Sequence, residues 1–419
     1  MFSQLIKTSI ASLLLIYGFG CESKKDLKRN QGKQISKKQS SDDKDSVAIN
    51  PGETKETKVK DKKTSEADTR PKTPLSGDVM REGEWHLTFE HLNTKEIGLS
   101  DEGMSFGLAK ALNSVSRSSE VIPIKQVGTK LTYSIDPKLF FPASKNSFRD
   151  DPIASINGCS HLKKTKIDGD ELIEADSFMY CILEPRIYYR LIGLSFAGNM
   201  ETAVEAKYLQ TQRQQGNHQI TCVEKSEVAN GASRLMERVE RSDGRVFWAT
   251  ADFLNQANLR SALSTGKFPP STNRSVGTLK AGEFMFEMEN GFIGYALSGF
   301  GAQSRLEANR AVASDKARSD RFVIAGFGCM RCHSSGFNAG KYIPCGNETE
   351  TASYPNPTEA KNIILEDNSR VFNTMKKLGY SDDIINGPEP VTAIIDHFEQ
   401  RTGTSFKEGG ASGAYGFGL

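Results

Sequence analysis

Residues 284–297 read FMFEMENGFIGYAL and carry the clearest structural signal of the chain. Phe284, Phe286 and Met288 alternate with other residues, which is the two-residue period of a β-strand. Asn290-Gly291 is the dipeptide that most often supplies the two positive φ angles of a type I′ turn. Apolar residues then return after the glycine. The pattern predicts an antiparallel hairpin with a type I′ turn.

The sequence on the N-terminal side of this hairpin mixes helix and strand patterns. Ser100 precedes acidic and then periodic apolar residues, as at the start of a helix. Apolar alternation over residues 131–135 predicts a half-buried strand, and large residues over 246–249 predict another. Residues 199–215 are predicted to be helical. We expect residues 79–310 to form one α+β domain, whose role the sequence does not indicate.

The sequence after residue 311 is predicted to be mainly helical. Apolar residues over 371–378 share one helix face and end at Gly379, and Pro390 begins a second amphipathic helix. Residues 311–405 are therefore expected to form a small, mainly α domain. Residues 406–419 are expected to be a flexible glycine-rich tail.

The first twenty residues have the pattern of an export signal peptide. Lys7 precedes an apolar run that is too short to span a bilayer as a helix. The following Gly18-Phe19-Gly20-Cys21 is similar to a bacterial lipobox, in which the cysteine is lipidated. Glycine stands at Gly18, where leucine is usual, and the two glycines also suit an ordinary signal peptidase. The sequence predicts an exported protein of the bacterial cell envelope, anchored through Cys21 and facing the periplasm or the cell surface.

Residues 21–78 are expected to be a disordered linker. They are rich in charged and small polar residues and lack aromatic residues, so they cannot bury enough apolar surface to fold. Over the whole chain 54 basic residues face 52 acidic ones, and the formal net charge is +2. Such a balance gives no field that attracts nucleic acid, so no nucleic-acid partner is expected.

Residues 329–333 read CMRCH, the C-x-x-C-H pattern of covalent c-type haem attachment. Two thiols one helical turn apart can bind one edge of a porphyrin, and the adjacent histidine can bind its iron. With seven cysteines and six histidines in 419 residues, chance predicts about 0.002 such patterns per chain. The sequence therefore predicts one covalent haem c, bound through Cys329 and Cys332, with His333 as an axial iron ligand.

The main alternative for this motif is a disulfide, or a zinc site with Cys345 and His333 as further ligands. A thioredoxin-like redox site is disfavoured because no βαβ pattern surrounds the motif. The other cysteines are expected to form disulfides with one of three connectivities. They are Cys159, Cys181, Cys222 and Cys345.

The sixth iron ligand is the least determined part of this prediction. Met375 is the nearest suitable methionine downstream, although it lies on an apolar helix face where core packing also explains it. His397 is a weaker candidate. His86 and His91 are potential metal ligands, but the sequence offers them no evident third ligand. No P-loop, HExxH or GxSxG pattern occurs, so no catalytic residue is predicted.

These residues resemble a family of large, uncharacterised exported bacterial proteins with a single C-terminal cytochrome c-type haem-binding domain. In that family the motif implies haem binding and electron transfer, and only Cys329, Cys332 and His333 carry over as functional residues. Glu289 stands where the family often has proline before the turn. The resemblance extends over most of residues 85–405 and includes Leu112-Asn113-Ser114-Val115-Ser116, Val121-Ile122-Pro123, Pro185, Tyr188, Tyr189, Leu191, Arg234, Glu237, Arg238, Trp248, Asp252, Phe253, Asn290-Gly291, Tyr295, Asp320-Arg321 and Gly326 to His333.

The expected function is therefore electron transfer between an unidentified redox donor and acceptor in the envelope, through a cytochrome c-like domain at 311–405. An enzyme is less expected than an electron carrier. A five-coordinate haem would instead suit a gas or redox sensor, or a haem enzyme. In a third alternative, the 79–310 domain is a binding protein and haem is secondary.

Overall fold

A computed structural model describes most of the chain between residues 83 and 406. The predicted signal peptide, Cys21, the 21–78 linker, the tail after residue 406 and nearly all of the predicted helix 199–215 lie outside the described residues. The main described ranges are 83–127, 131–142, 151–194, 217–223, 233–253, 279–299, 320–334 and 355–406, with a few shorter pieces between them.

The described chain is a mixed α/β structure with helices on both sides of residue 311. The helices are α1 (Thr94–Ile97), α2 (Asp101–Asn113), α3 (Pro137–Phe140), α4 (Pro152–Asn157), α5 (Ala175–Leu183), α6 (Pro185–Leu191), α7 (Phe327–Cys332), α8 (Pro357–Lys376), α9 (Asp382–Ile385) and α10 (Pro390–Thr402). The strands are β1 (Trp85–Thr88), β2 (Lys125–Gln126), β3 (Thr132–Ile135), β4 (Lys164–Ile167), β5 (Asp170–Glu174), β6 (His218–Val223), β7 (Ser233–Glu240), β8 (Val246–Phe253), β9 (Leu279–Glu287), β10 (Ile293–Gly299), β11 (Ser304–Arg305) and β12 (Tyr342–Ile343).

The strands form two sheets. The smaller sheet has the order β2-β3-β1-β5-β4, and its β1 and β5 run parallel. The larger sheet is an antiparallel meander with the order β11-β10-β9-β8-β7-β6-β12. The four central strands β7 to β10 form the platform on which the candidate site is built.

The predicted hairpin is formed by β9 and β10, but its turn is not of type I′. Gly291 has φ +82, whereas Asn290 is not among the described residues with positive φ. The Gly291 amide donates to the Met288 carbonyl at 3.0 Å, and the Met288 amide donates to the Phe292 carbonyl at 2.8 Å. The loop therefore has three residues, Glu289, Asn290 and Gly291, and Gly291 supplies its left-handed backbone conformation.

The helix starts predicted at Ser100 and Pro390 are confirmed. The Ser100 hydroxyl accepts from the Gly103 amide and begins α2. The Asn356 side chain caps α8 in a full capping box with Glu359, and Pro390 occupies the first turn of α10. The strand predicted over 131–135 is confirmed as β3, but all four of its residues are buried, so the expectation of a half-buried strand is wrong.

The core joins segments from both halves of the chain. Helix α10 packs against α2 and α5, and the described residues belong to one compact unit. Phe398 of α10 lies 4.9 Å from Tyr180 of α5 between ring centroids. The domain boundary expected between residues 310 and 311 stays a prediction.

Two disulfides join four of the five cysteines outside the motif. Cys159 pairs with Cys181, and Cys222 pairs with Cys345. Structural disulfides persist in oxidising compartments, so the pairing indicates a location outside the cytoplasm. Among the described residues, no helix is both long enough and apolar enough to cross a membrane.

The two disulfides are expected to differ in their contribution to stability. They span 22 and 123 residues, and the entropy of closing such loops in the unfolded chain corresponds to about 3 and about 5 kcal/mol. Replacing Cys222 and Cys345 together by alanine is therefore expected to lower the free energy of unfolding more than replacing Cys159 and Cys181. Urea unfolding of both double variants measures the difference. A larger loss from the shorter loop would contradict this expectation.

Tyr133 of β3 is expected to make stability sensitive to alkaline pH. Burial raises its pKa from 10.0 to about 12. Because the folded-state pKa lies above the unfolded one, this stabilising contribution is complete below pH 10.0 and is lost as pH rises towards about 12. We expect Tyr133→Phe to reduce the fall in unfolding free energy across this window, measured by urea unfolding at a series of alkaline pH values. Parallel profiles for the variant and the wild type would contradict it.

Candidate functional site

The motif residues lie on α7 and at its C-terminal end. Gly326 precedes the helix with φ +73, and a Cβ at this position would lie 2.9 Å from the Tyr188 ring. Only glycine therefore permits this close approach and this backbone conformation. The His333 amide donates to the Cys329 carbonyl at 2.8 Å, so Cys329 and His333 are joined by one helical turn.

Arg331, inside the motif, fixes α7 to α10. Its guanidinium donates two hydrogen bonds to Asp396 of α10, at 2.8 and 2.6 Å. Its Nε also lies 3.1 Å from the fully buried carboxylate of Asp315. Such a two-pronged pair between a guanidinium and a carboxylate restricts orientation as well as distance. The motif is thus held rigidly against the last helix.

Cys329 is a buried free thiol. Burial, followed by the nearby Glu283 carboxylate, raises its pKa well above the ordinary value. The thiolate is the reactive form of cysteine, and burial disfavours that form at Cys329. Burial, together with the nearby Cys329 thiolate, raises the pKa values of three tyrosines around it, Tyr188, Tyr189 and Tyr295.

Glu283 of β9 links the motif to the larger sheet. One of its oxygens lies 3.5 Å from His333 Nε2, and the other lies 3.7 Å from Arg234. Arg234 in turn donates to both oxygens of Asp252, at 2.7 and 3.1 Å. Burial would raise the pKa of Glu283, but His333 and Arg234 outweigh it and lower the pKa to about 2. The carboxylate is therefore ionised at neutral pH.

The His333 imidazole is oriented by its other nitrogen. Nδ1 lies 3.0 Å from the Gly336 carbonyl oxygen, which can only accept, so Nδ1 carries the hydrogen of this bond and Nε2 faces Glu283. The Tyr295 ring is stacked on the imidazole with centroids 6.0 Å apart. A histidine held in this way by a backbone carbonyl is typical of metal-ligating histidines.

A small cavity lies beside His333. Its volume of about 20 Å³ is sufficient for roughly one water molecule. Met375 lines this cavity together with His333, so the structure brings the expected axial ligand and the proposed sixth ligand to one place. The cavity is lined by Lys110, Ser114, Phe292, Ile293, Tyr295, Met330, His333, Ser334, Val371, Thr374 and Met375.

Lys110 of α2 is the cationic group at this cavity. Its side chain is largely buried, and its ammonium donates to the Glu389 carboxylate at 2.5 Å and to the Ser334 carbonyl at 3.1 Å. The residue after the motif histidine is therefore tied to helix α2, which precedes the predicted domain boundary. The cavity is built from both halves of the chain.

The side chains of the motif fit covalent haem, but the cavity beside His333 is too small for haem in this conformation. Cysteines one turn apart and an imidazole with a free Nε2 lone pair are the groups that haem c requires. A porphyrin, however, needs a pocket of several hundred Å³, and the cavity beside His333 offers about 20 Å³. Haem binding thus requires that the elements around the cavity separate and that Nε2 leave Glu283.

The other metal ligands considered from the sequence either lie elsewhere or are already bonded to another residue. Cys345 is bonded to Cys222, so the alternative zinc site with Cys345 as a ligand is contradicted. Cys332 is also disulfide-bonded. His397 lies 3.9 Å from Glu96.

Comparison with known protein families, curated proteins and solved structures finds no match for this chain.

Proposed function

We propose that the protein is an exported c-type cytochrome that carries one covalent haem and transfers electrons in the bacterial cell envelope. The observation that supports this most directly is the arrangement of Cys329, Cys332 and His333 on one helical turn, with His333 Nδ1 anchored to a carbonyl. The two disulfides support the location, because haem c is attached outside the cytoplasm in bacteria.

Each residue of the motif would have its own role in binding haem. Cys329 and Cys332 would each form a thioether bond with a vinyl group; the thiol hydrogen passes to the vinyl carbon, so no oxidant is consumed. His333 Nε2 would bind the iron, and Gly336 would hold the ring orientation. When bound, haem supplies a single-electron couple between ferric and ferrous iron. Because Cys332 is disulfide-bonded, attachment would first require a dithiol reductant, which supplies two electrons and two protons and is itself oxidised to a disulfide.

The remaining chain would anchor and present this centre. We propose that residues 311–405 form the cytochrome c-like domain, because α7 packs on α10 and Arg331 joins the two helices. Residues 79–310 would dock the redox donor or acceptor. The signal peptide, a lipid on Cys21 and the 21–78 linker would tether the body to the membrane, a proposal that rests on their sequence alone.

A visible spectrum of the purified protein tests the proposal. The full chain is produced in a bacterial host that has the haem c maturation proteins. We expect sharp bands in the reduced form and a pyridine haemochrome typical of thioether-linked haem, retained after denaturation. A colourless protein whose motif cysteines are bridged or hold zinc would contradict the proposal.

Met375 is proposed as the sixth iron ligand because it shares the cavity with His333. Replacing it with alanine is expected to lower the reduction potential and to convert a six-coordinate low-spin spectrum to one that changes on adding carbon monoxide. Met330→Leu is the matched control, since Met330 lines the same cavity from inside the motif, and it should leave both properties unchanged. The same spectral change caused by Met330→Leu alone would contradict the assignment.

A five-coordinate haem sensor or enzyme is the second candidate. It is favoured by the water-sized cavity beside His333 with polar Lys110, Ser114 and Thr374 in its wall. Wild-type ferrous protein that binds carbon monoxide without displacing an internal ligand would support this candidate and exclude Met375 as a ligand.

A further inference from the structure

The segment that follows the motif is held by a side chain of α8. Asn368 Oδ1 accepts a hydrogen bond from the Phe337 amide at 2.5 Å, and Asn368 Nδ2 donates one to the Phe337 carbonyl at 2.8 Å. The side-chain amide thus pairs with both polar groups of one main-chain residue, as a neighbouring β-strand does. The two residues are 31 positions apart, so this contact is made by the fold and not by the local chain.

The peptide unit between Gly336 and Phe337 joins Asn368 to His333. Its carbonyl oxygen, which belongs to Gly336, accepts from His333 Nδ1 at 3.0 Å, and its N–H, which belongs to Phe337, donates to Asn368. Because a peptide unit is planar and rigid, a partner that fixes the direction of its N–H also fixes the direction of its C=O. Asn368 therefore determines where the acceptor for the imidazole lies.

The backbone at Gly336 is shaped for this contact. Gly336 has φ +109, and a Cβ at this position would collide with Asn368 Oδ1. Only glycine permits both this backbone conformation and the close approach of the asparagine. The Gly336 amide also donates to the His333 carbonyl at 3.0 Å, so the segment folds back on the motif histidine.

Asn368 and Phe337 are both fixed to the same residue of β8. Asp367, which precedes Asn368 on α8, accepts from the Trp248 indole at 2.8 Å. The buried Phe337 ring packs on that indole, with ring centroids 5.5 Å apart. Because Trp248 holds both partners, the Asn368 amide and the Phe337 backbone meet in one defined geometry.

We propose that Asn368 is a positioning residue for His333, which fixes the Gly336–Phe337 peptide unit and through it the Nδ1–H hydrogen bond that orients the imidazole. This orientation exists in the chain without haem, whereas any effect on iron rests on the proposed function. A hydrogen bond from Nδ1–H makes an imidazole a stronger electron donor to a bound metal, and such a donor favours the ferric state of haem iron.

The ring N–H of His333 tests this inference in the chain without haem. The full-length mature chain is produced without the haem c maturation proteins, with isotope-labelled histidine, and the His333 signal in its NMR spectrum is identified by its absence in His333→Gln. We expect the parent to show an Nδ1–H signal that exchanges slowly with solvent. Asn368→Ala should exchange roughly tenfold faster, the factor that corresponds to the net contribution of one hydrogen bond.

Two further variants separate positioning from a loss of packing. Asn362→Ala is the matched control, because Asn362 is an exposed asparagine of the same helix, and it should exchange as the parent does. Asn368→Asp keeps an acceptor for the Phe337 amide but loses the donor to the Phe337 carbonyl, so its exchange rate should fall between those of the parent and Asn368→Ala. If Asn368→Ala does not fold, Asn368→Asp takes its place and must still exchange faster than the parent.

The same variants produced with the maturation proteins give the second readout. Asn368→Ala should raise the reduction potential of the haem, and Asn362→Ala should leave it unchanged. Equal exchange of the His333 ring N–H in the parent and in the Asn368 variants overturns the inference, with or without haem. An unchanged potential in haem-loaded Asn368→Ala overturns the effect on iron. Absence of haem from every variant contradicts the proposed function, and the NMR comparison then decides the role of Asn368 by itself.

Discussion

Replacing Cys329 and Cys332 together by alanine is expected to abolish covalent haem retention. The two side chains are the only groups of the motif that can form thioether bonds, and His333 alone would leave haem extractable. The measurement is haem-dependent peroxidase staining of the denatured protein after electrophoresis, together with the extractable haem in acidified organic solvent. We expect no stained band for the double variant and a strong one for the wild type.

The matched control for this experiment is the Cys159→Ala/Cys181→Ala variant. It removes two cysteines that are bonded to each other and lie outside the motif, so it should stain as the wild type does, even if it is less stable. Equal staining of the two double variants would contradict the assignment of the haem to Cys329 and Cys332. Each single variant is expected to retain haem through one bond, with a shifted haemochrome band.

Asp367→Ala is expected to have a large effect on stability. The Asp367 carboxylate is fully buried and accepts hydrogen bonds from Arg238 at 2.9 and 2.8 Å and from the Trp248 indole at 2.8 Å. Arg370 adds a third partner at 2.7 Å. Removing this carboxylate leaves the buried Arg238 guanidinium without its main counter-charge, which costs about 3–5 kcal/mol of unfolding free energy.

Urea unfolding monitored by tryptophan fluorescence measures this loss. Glu366→Ala is the matched control, because Glu366 is the preceding residue of α8 but is exposed, and its effect should stay within about 0.5 kcal/mol. Asp367→Asn keeps a hydrogen-bond acceptor without the charge and should fall between the two. A loss below about 1 kcal/mol for Asp367→Ala would show that the network contributes little.

In the hairpin, the sequence predicts the two strands correctly but does not predict the type of turn. The alternation of Phe284, Phe286 and Met288 gave the correct strands, because a period of two is a local property of the chain. Asn290-Gly291 located the turn, but the dipeptide is compatible with both two-residue and three-residue loops. The choice depends on strand register, which pairing with β8 and β10 determines.

Only part of the candidate site could be predicted from the sequence. The motif gave Cys329, Cys332 and His333 because its residues are adjacent. Glu283 and Arg234 were missed, since they reach the motif through sheet pairing. The one available signal was the acidic side chain of Glu283 beside the alternating apolar residues of β9. The disulfide partners could not be chosen for the same reason, because Cys222 and Cys345 are 123 residues apart.

The ion-pair network around Asp367 illustrates the same limit. Asp367 and Arg238 are separated by 129 residues, and each belongs to an element whose pattern reveals only its own burial. Amphipathic periodicity predicts which face of α8 is buried, but it does not identify the partner of a charge on that face. Such pairs follow from the packing of helix on sheet, which the linear pattern does not contain.

The intact mass of the wild-type mature protein tests the central claim most directly. The protein is produced in a host with haem c maturation, denatured, reduced and measured by mass spectrometry. We predict the chain mass plus one haem, with the added mass on the peptide that contains residues 329–333. The mass of the chain alone, with both motif cysteines open to alkylation after reduction, would contradict the account.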